Sequence, residues 1–159
     1  MKEIEMAGDV GEWTRDEYVI STDRSRLDIG AIHRFLRDSY WAAGIPIEIV
    51  ERSVQHSITF GVFKGTELVG FARVISDCAT FGYLADVFVL PSHRCRGLSK
   101  WLIQVILRHP DLQGFRLWLL ATRDAHGLYG RFGFKTPERL DRYMEIRQPN
   151  AYIGRDSGE

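Results

Sequence analysis

The sequence predicts an α/β domain: a mixed, mostly antiparallel central sheet with helices on both faces and one β-α-β crossover. Three observations carry this. The strand-like arms Ser57 to Phe63, Leu68 to Ile75 and Phe81 to Leu90 are separated only by the turn Lys64-Gly65-Thr66-Glu67 and a turn opened by Asp77, and such short connections join antiparallel neighbours. After Pro91, Leu98, Trp101, Leu102, Val105 and Ile106 recur at i, i+3, i+4, i+7 and i+8, the stripe of an amphipathic helix. The run Leu117 to Ala121 (LWLLA) then reads as a strand covered on both faces, and strand-helix-strand order makes it parallel to the third arm.

The remaining elements follow in chain order. Tyr18 to Ser21 (YVIS) reads as a short first strand, preceded by a flexible lead-in over 1–16. Asp28 is placed to cap a helix carrying Ile29, Ile32, Phe35 and Leu36, which runs to Tyr40 and Trp41 before the break Gly44-Ile45-Pro46. A second helix puts Ile47, Val50 and Val54 on one face. A short helix from about Ala125 to Phe132 leads into Gly133 and Phe134; Arg142 to Arg147 suits a closing strand, and 148–159 is a tail. No composition shift or linker divides the chain, so 1–159 is expected to be a single domain.

Composition removes several functional classes. Lys plus Arg equals Asp plus Glu, 21 each, so no global field draws the chain to nucleic acid or membrane. No apolar run approaches the ~20 residues that span a bilayer. Cys78 and Cys95 form no CxxC and have no Cys or His neighbours at zinc spacing. Two free thiols, no metal and a reducing cytoplasm are the expectation.

The most informative stretch is His93-Arg94-Cys95-Arg96-Gly97-Leu98-Ser99-Lys100, where a strand hands over to a helix. The first N–H groups of a helix lack intrahelical partners and carry the positive end of its dipole, so they bind anions. Gly97 admits a phosphate close to the backbone, and Arg94, Arg96 and Lys100 add charge-assisted bonds. Taken alone, a glycine that merely starts a helix among solvated cations explains the stretch equally well. No GxxxxGK[ST] and no GxGxxG is present, which sets aside P-loop and dinucleotide-binding sites.

The segment LADVFVLPSHRCRGLSKWL resembles the acetyl-CoA signature of the GNAT superfamily of N-acetyltransferases, [RQ]xxGx[GA] after a strand. Arg94, Gly97 and Ser99 take its three defined positions, Ser99 standing where Gly or Ala is usual. Downstream, LLATRDAHGLYGRFGF is similar to the family's strand, helix and Tyr-x-x-x-Gly-Phe element (Tyr129, Gly133, Phe134), and the order of elements agrees from about residue 18 to 147. The resemblance implies acetyl transfer from acetyl-CoA to a primary amine by direct attack. It implies a pantetheine arm lying along the backbone of Val87, Phe88 and Val89, with the Val89 amide facing the thioester oxygen. It implies a diphosphate held over Arg94 to Lys100, Cys95 and Leu98 included, and Tyr129 as the acid that meets the leaving thiolate.

Asp86 is an acid inside the apolar run Leu84 to Leu90, where an unpaired charge is costly. It suits a general base and a structural acceptor tying down a neighbouring loop equally well. His126 is a second base or substrate contact, or a hydrogen-bonded helix-start histidine. The fold implied by the resemblance puts the acceptor between the first helix pair and the sheet, near Tyr40, Trp41, Arg73 and Asp77. Compactness, zero net charge and the Tyr40-Trp41 aromatics favour a small-molecule amine. A peptide N-terminus, or a non-catalytic acyl-CoA sensor, are the alternatives, and a homodimer is left open.

Overall fold

The computed structural model describes residues 10–154. A sheet of six strands runs in chain order: β1 (Glu12–Arg15), β2 (Tyr18–Ser21), β3 (Ile58–Lys64), β4 (Glu67–Ser76), β5 (Phe81–Val89) and β6 (Leu117–Leu119). All neighbours are antiparallel except β5 and β6, which pair in parallel through α3 (Leu98–Arg108). The helix pair α1 (Ile29–Arg37) and α2 (Ile47–Gln55) precedes β3, and α4 (His126–Gly130) follows β6.

The two faces of the sheet build two cores. On one, Leu98, Trp101, Leu102, Val105 and Ile106 of α3 pack on Ile20, Phe60, Val62, Ala72, Val74, Leu84 and Val89. On the other, Ile32 and Leu36 of α1 and Val50 and Val54 of α2 cover Phe63, Leu68, Phe71 and Phe88. Each such aliphatic side chain, fully buried, contributes on the order of 1.5–3 kcal/mol. Asp28 caps α1 as its sequence position predicts, accepting the Ala31 N–H at 2.9 Å. Ile47, expected on the apolar face of α2, is 40% exposed because it opens the helix, a turn ahead of the residues that meet the sheet.

Two bulges interrupt the ladders on either side of β4. The β4–β5 register runs from Phe71↔Phe88 to Arg73↔Ala85, so Asp86 and Val87 together face Ala72. Asp86 sits there at φ 54, a left-handed conformation that Asp tolerates better than most residues. A matching shift on the other side of β4 lies at Val62/Phe63.

Three expectations are corrected. Residues 12–15, assigned to a flexible lead-in, form β1. A two-residue turn at Asp16 (φ 52) and Glu17 folds it onto β2, and Trp13 packs beside Phe60 and His109. The run LWLLA is not covered on both faces: β6 is the last strand of the sheet, its three residues are only half-buried, and pairing ends at Leu119. Arg142 to Arg147 forms no strand; it follows a single 3-10 turn, Leu140–Arg142, and Met144 and Ile146 are 99% and 94% exposed. A three-residue edge offers too few ladder bonds to hold a further strand.

Candidate active site

The turn between β5 and α3 has the backbone of an anion cradle. Gly97 caps α3 in the left-handed region at φ 74, no side chain caps the helix, and Cys95 is also left-handed at φ 63. The N–H groups of Leu98, Ser99 and Lys100 therefore lack intrahelical partners, while the Leu98 side chain is buried in the core. Arg96 and Lys100 are exposed beside them. Arg94 also stitches the turn to the end of β5, its Nε donating to the Val89 carbonyl at 3.0 Å. One residue not foreseen from sequence completes the wall. Arg15 of β1 donates from Nη2 to the Arg96 carbonyl at 3.1 Å and lies 4.9 Å over the Trp101 ring. Its only sequence signal is the pattern Trp13-Thr14-Arg15 ahead of the Asp16-Glu17 turn.

Beside the turn runs a seam. Pairing of β5 with β6 stops at Tyr83↔Leu119, yet β5 continues to Val89. Leu90 donates its N–H to the Val69 carbonyl at 2.8 Å. Strand alternation then turns the Val89 and Val87 amides away from β4, into the seam. By the same alternation the Phe88 backbone faces β4, opposite Phe71, and its ring stacks on Phe35 at 4.0 Å.

Tyr129, on α4, is 9% exposed and packs edge-to-face on Phe134, which Gly133 (φ 94) turns back towards it. Its phenol is pushed up to about 12, chiefly by burial, with further contributions from Tyr40 and Asp124. Tyr129 is thus a neutral donor at any physiological pH. Tyr40 comes from the loop between α1 and α2: its hydroxyl accepts the Arg123 N–H at 3.0 Å, and the Arg123 guanidinium lies 3.9 Å over its ring. Tyr40 and Trp41 meet edge-to-face at 5.1 Å. With Arg34, Phe35, Leu90 and Arg123 among the other lining residues, they bound a cavity of about 590 Å³. Sequence reasoning misses Arg34 and Arg123, which are exposed cations with no pattern of their own.

Asp86 is bonded through both carboxylate oxygens. Its Oδ1 accepts the Trp41 indole N–H at 2.9 Å and its Oδ2 accepts Arg73 Nε at 2.5 Å. Asp77 is not among the cavity-lining residues. It accepts from the N–H groups of Ala79, Thr80 and Phe81 and from the Thr80 hydroxyl, so the expected substrate contact is a turn-builder. Those bonds, the Thr80 hydroxyl first, hold its carboxyl far below the usual range. His126 opens α4 as an exposed residue, one turn before Tyr129, and is not among the cavity-lining residues.

An α/β acyltransferase is the class of protein that such a seam suits: uncapped helix amides for a diphosphate, an open strand edge for an extended arm, a neutral phenol for the departing group. The profile of the Acetyltransferase (GNAT) family matches residues 11–134. A Gibberella zeae protein named "Putative acetyltransferase FG08082" is 33% identical over 153 residues, 81% of this chain and 85% of that one. A crystal structure of a "putative acetyltransferase belonging to the gnat family" from Xanthomonas campestris pv. campestris is 52% identical. It superposes with a TM-score of 0.85 over 88% of this chain and 99% of that one. A Clostridium acetobutylicum acetyltransferase whose structure is described "with acetyl-CoA" shares the fold at 14% identity, TM-score 0.59, covering 82% of this chain and 94% of that one. The chain belongs to the GNAT acetyltransferase family, and it is an acyltransferase of a family that uses acetyl-CoA.

Proposed function

We propose that this chain moves the acetyl group of acetyl-CoA to the primary amine of a small molecule by direct attack. The observation that carries the reading is the aromatic cleft bounded by Tyr40, Trp41 and Arg123, about 590 Å³, inside the 300–1,000 Å³ range of small-ligand pockets. Tyr40 also sits close enough to Tyr129 to raise its pKa, which ties the cavity to the phenol. The residues fit acetyl-CoA: a side chain at Gly97 would be strained at φ 74, and the Val89 amide is free on the open edge of β5.

Acetyl-CoA supplies an acyl group on a thiol of ordinary basicity, pKa ~8.5. The Val89 N–H faces the carbonyl oxygen, where a fixed donor is worth most as negative charge develops. As the C–N bond forms and the C–S bond breaks, the amine gives up one proton and the sulfur needs one. Tyr129 donates a hydrogen bond to the sulfur. With its phenol near 12, complete transfer to a thiolate is uphill by about 3–4 pK units, so the proton lost by the amine completes the exchange. Holding amine and thioester in register between the Trp41 loop and β5 supplies the entropic part of the acceleration. Cys78 and Cys95, both free and exposed, support a reducing, cytoplasmic setting.

Thiol release from acetyl-CoA, measured against a panel of small amines, amino acids and short peptides, tests this. Small amines are expected to give the highest kcat/KM. A peptide advantage of more than an order of magnitude would move the acceptor to a peptide N-terminus while leaving acetyl transfer in place.

A further inference from the structure

Asp86 and Arg73 form the most deeply placed of the ion pairs among the described residues, with side chains 9% and 17% exposed. Neither lines the cavity, but Trp41 does. The bonds around them run continuously across the site. Ser57, just after α2, donates from Oγ to the Ser53 carbonyl at 2.6 Å and accepts from Arg73 Nη1 at 3.2 Å. Arg73 passes from there to Asp86, and Asp86 to the Trp41 indole. Arg24 holds the Ser57 carbonyl from the other side at 3.0 Å.

We propose that Arg73 is a positioning residue for the acceptor: through Asp86 it fixes Trp41, and with it the α1–α2 loop, against the bulge of β5. Three features give the pair this role. The left-handed Asp86 sits at the bulge, where the extra residue re-aims a side chain. Trp41 itself is 42% exposed, so packing alone does not choose its rotamer, whereas a charge-assisted hydrogen bond does. Asp86, already accepting from two donors on two different elements, is occupied as an anchor. A cation is needed at position 73 because the carboxylate is otherwise buried without charge compensation. The fork of Arg suits the position better than Lys, since one guanidinium must reach Ser57 and Asp86 together.

The test combines a direct readout of Trp41 with kinetics, and only the kinetic arm rests on the acetyl-transfer reading. The indole N–H of Trp41, assigned by its loss in Trp41→Phe, is followed by NMR for hydrogen exchange. In Arg73→Met its exchange should accelerate roughly tenfold or more, the scale of one lost charge-assisted hydrogen bond, with partial return in Arg73→Lys. With 2-phenylethylamine as acceptor probe, the amine KM should rise by about tenfold while the acetyl-CoA KM stays near wild type. If Arg73→Met does not fold, Asp86→Asn carries the same measurement: it keeps an oxygen for the indole but removes the charge that Arg73 meets. An unchanged Trp41 indole in a folded Arg73 variant overturns the proposal. So does an Asp86→Asn enzyme whose kcat and pH profile collapse around an undisturbed Trp41, which makes Asp86 the base. Inactivity of 2-phenylethylamine would leave the exchange result decisive, and the thermal shift with CoA reports separately on the acetyl-transfer reading.

Discussion

At the scale of single residues, one phenol and one carboxylate stand in different surroundings. Tyr129 is buried and raised to about 12, whereas Asp86 is paired with Arg73 and bonded to Trp41. Tyr129→Phe should preserve CoA affinity and lower kcat by about 10²-fold, the low end for loss of a proton donor; single-turnover kinetics measure the chemical step itself. Near-normal turnover in that step would reduce Tyr129 to packing. The same phenol has a signature in the absence of any substrate. In the unfolded chain it ionises near 10, and in the fold near 12. Its protonated form therefore favours the native state, with no effect below pH 10 and a progressive loss of stability between 10 and 12. The loss is on the order of 3 kcal/mol. Spectrophotometric titration should show one late phenolate, absent in Tyr129→Phe, and denaturant melts should flatten correspondingly above pH 10 in the variant.

At the scale of elements, the strand-to-helix turn is the part whose function depends on backbone shape rather than on any side chain. Gly97→Val forces a β-branched residue into φ 74, so the uncapped amides should lose their aim and the CoA-induced thermal shift should vanish. The far-UV spectrum should keep its helix content, because α3 is held by six buried side chains. A retained shift would place the diphosphate elsewhere. This turn is legible in the sequence because Arg94, Gly97 and Ser99 lie at local spacings, and local spacing is what a sequence displays. The α3 stripe, the β3–β4–β5 hairpins and the parallel crossover are legible for the same reason. Arg15 is not: it reaches Arg96 only through the β1–β2 hairpin and the fold beyond it. The missing strand at 142–147 misleads in the opposite sense. Its residues have strand-like alternation, but the partner they would need, β6, pairs over only three residues. The sequence marks Asp86 as costly and leaves two roles open to it; the partners that engage both its oxygens, Trp41 and Arg73, lie 45 and 13 residues away and are not legible there.

At the scale of the whole molecule, ligand and fold are thermodynamically linked, since the seam, the turn and the cavity are contributed by separate parts of the chain. CoA at ~100 times its Kd should stabilise the native state by ~2.7 kcal/mol, read as a rise in Tm. Absence of any rise at millimolar CoA would refute the assignment of the seam. The β1–β2 hairpin also carries a meaning in time. Arg15 and the Arg96 carbonyl that it holds are 81 residues apart. At ~5–20 residues per second of synthesis, several seconds separate their appearance, against microseconds for a hairpin to close. A two-stranded ribbon is marginal alone; in the fold it gains β3, which is complete at Lys64 and pairs with β2. The strands that carry Arg15 are therefore synthesised ahead of the β5–α3 turn whose carbonyl it meets. That turn, whose left-handed Cys95 would cost an isolated peptide about 1–2 kcal/mol, emerges to an arginine already made that holds its carbonyl in the fold.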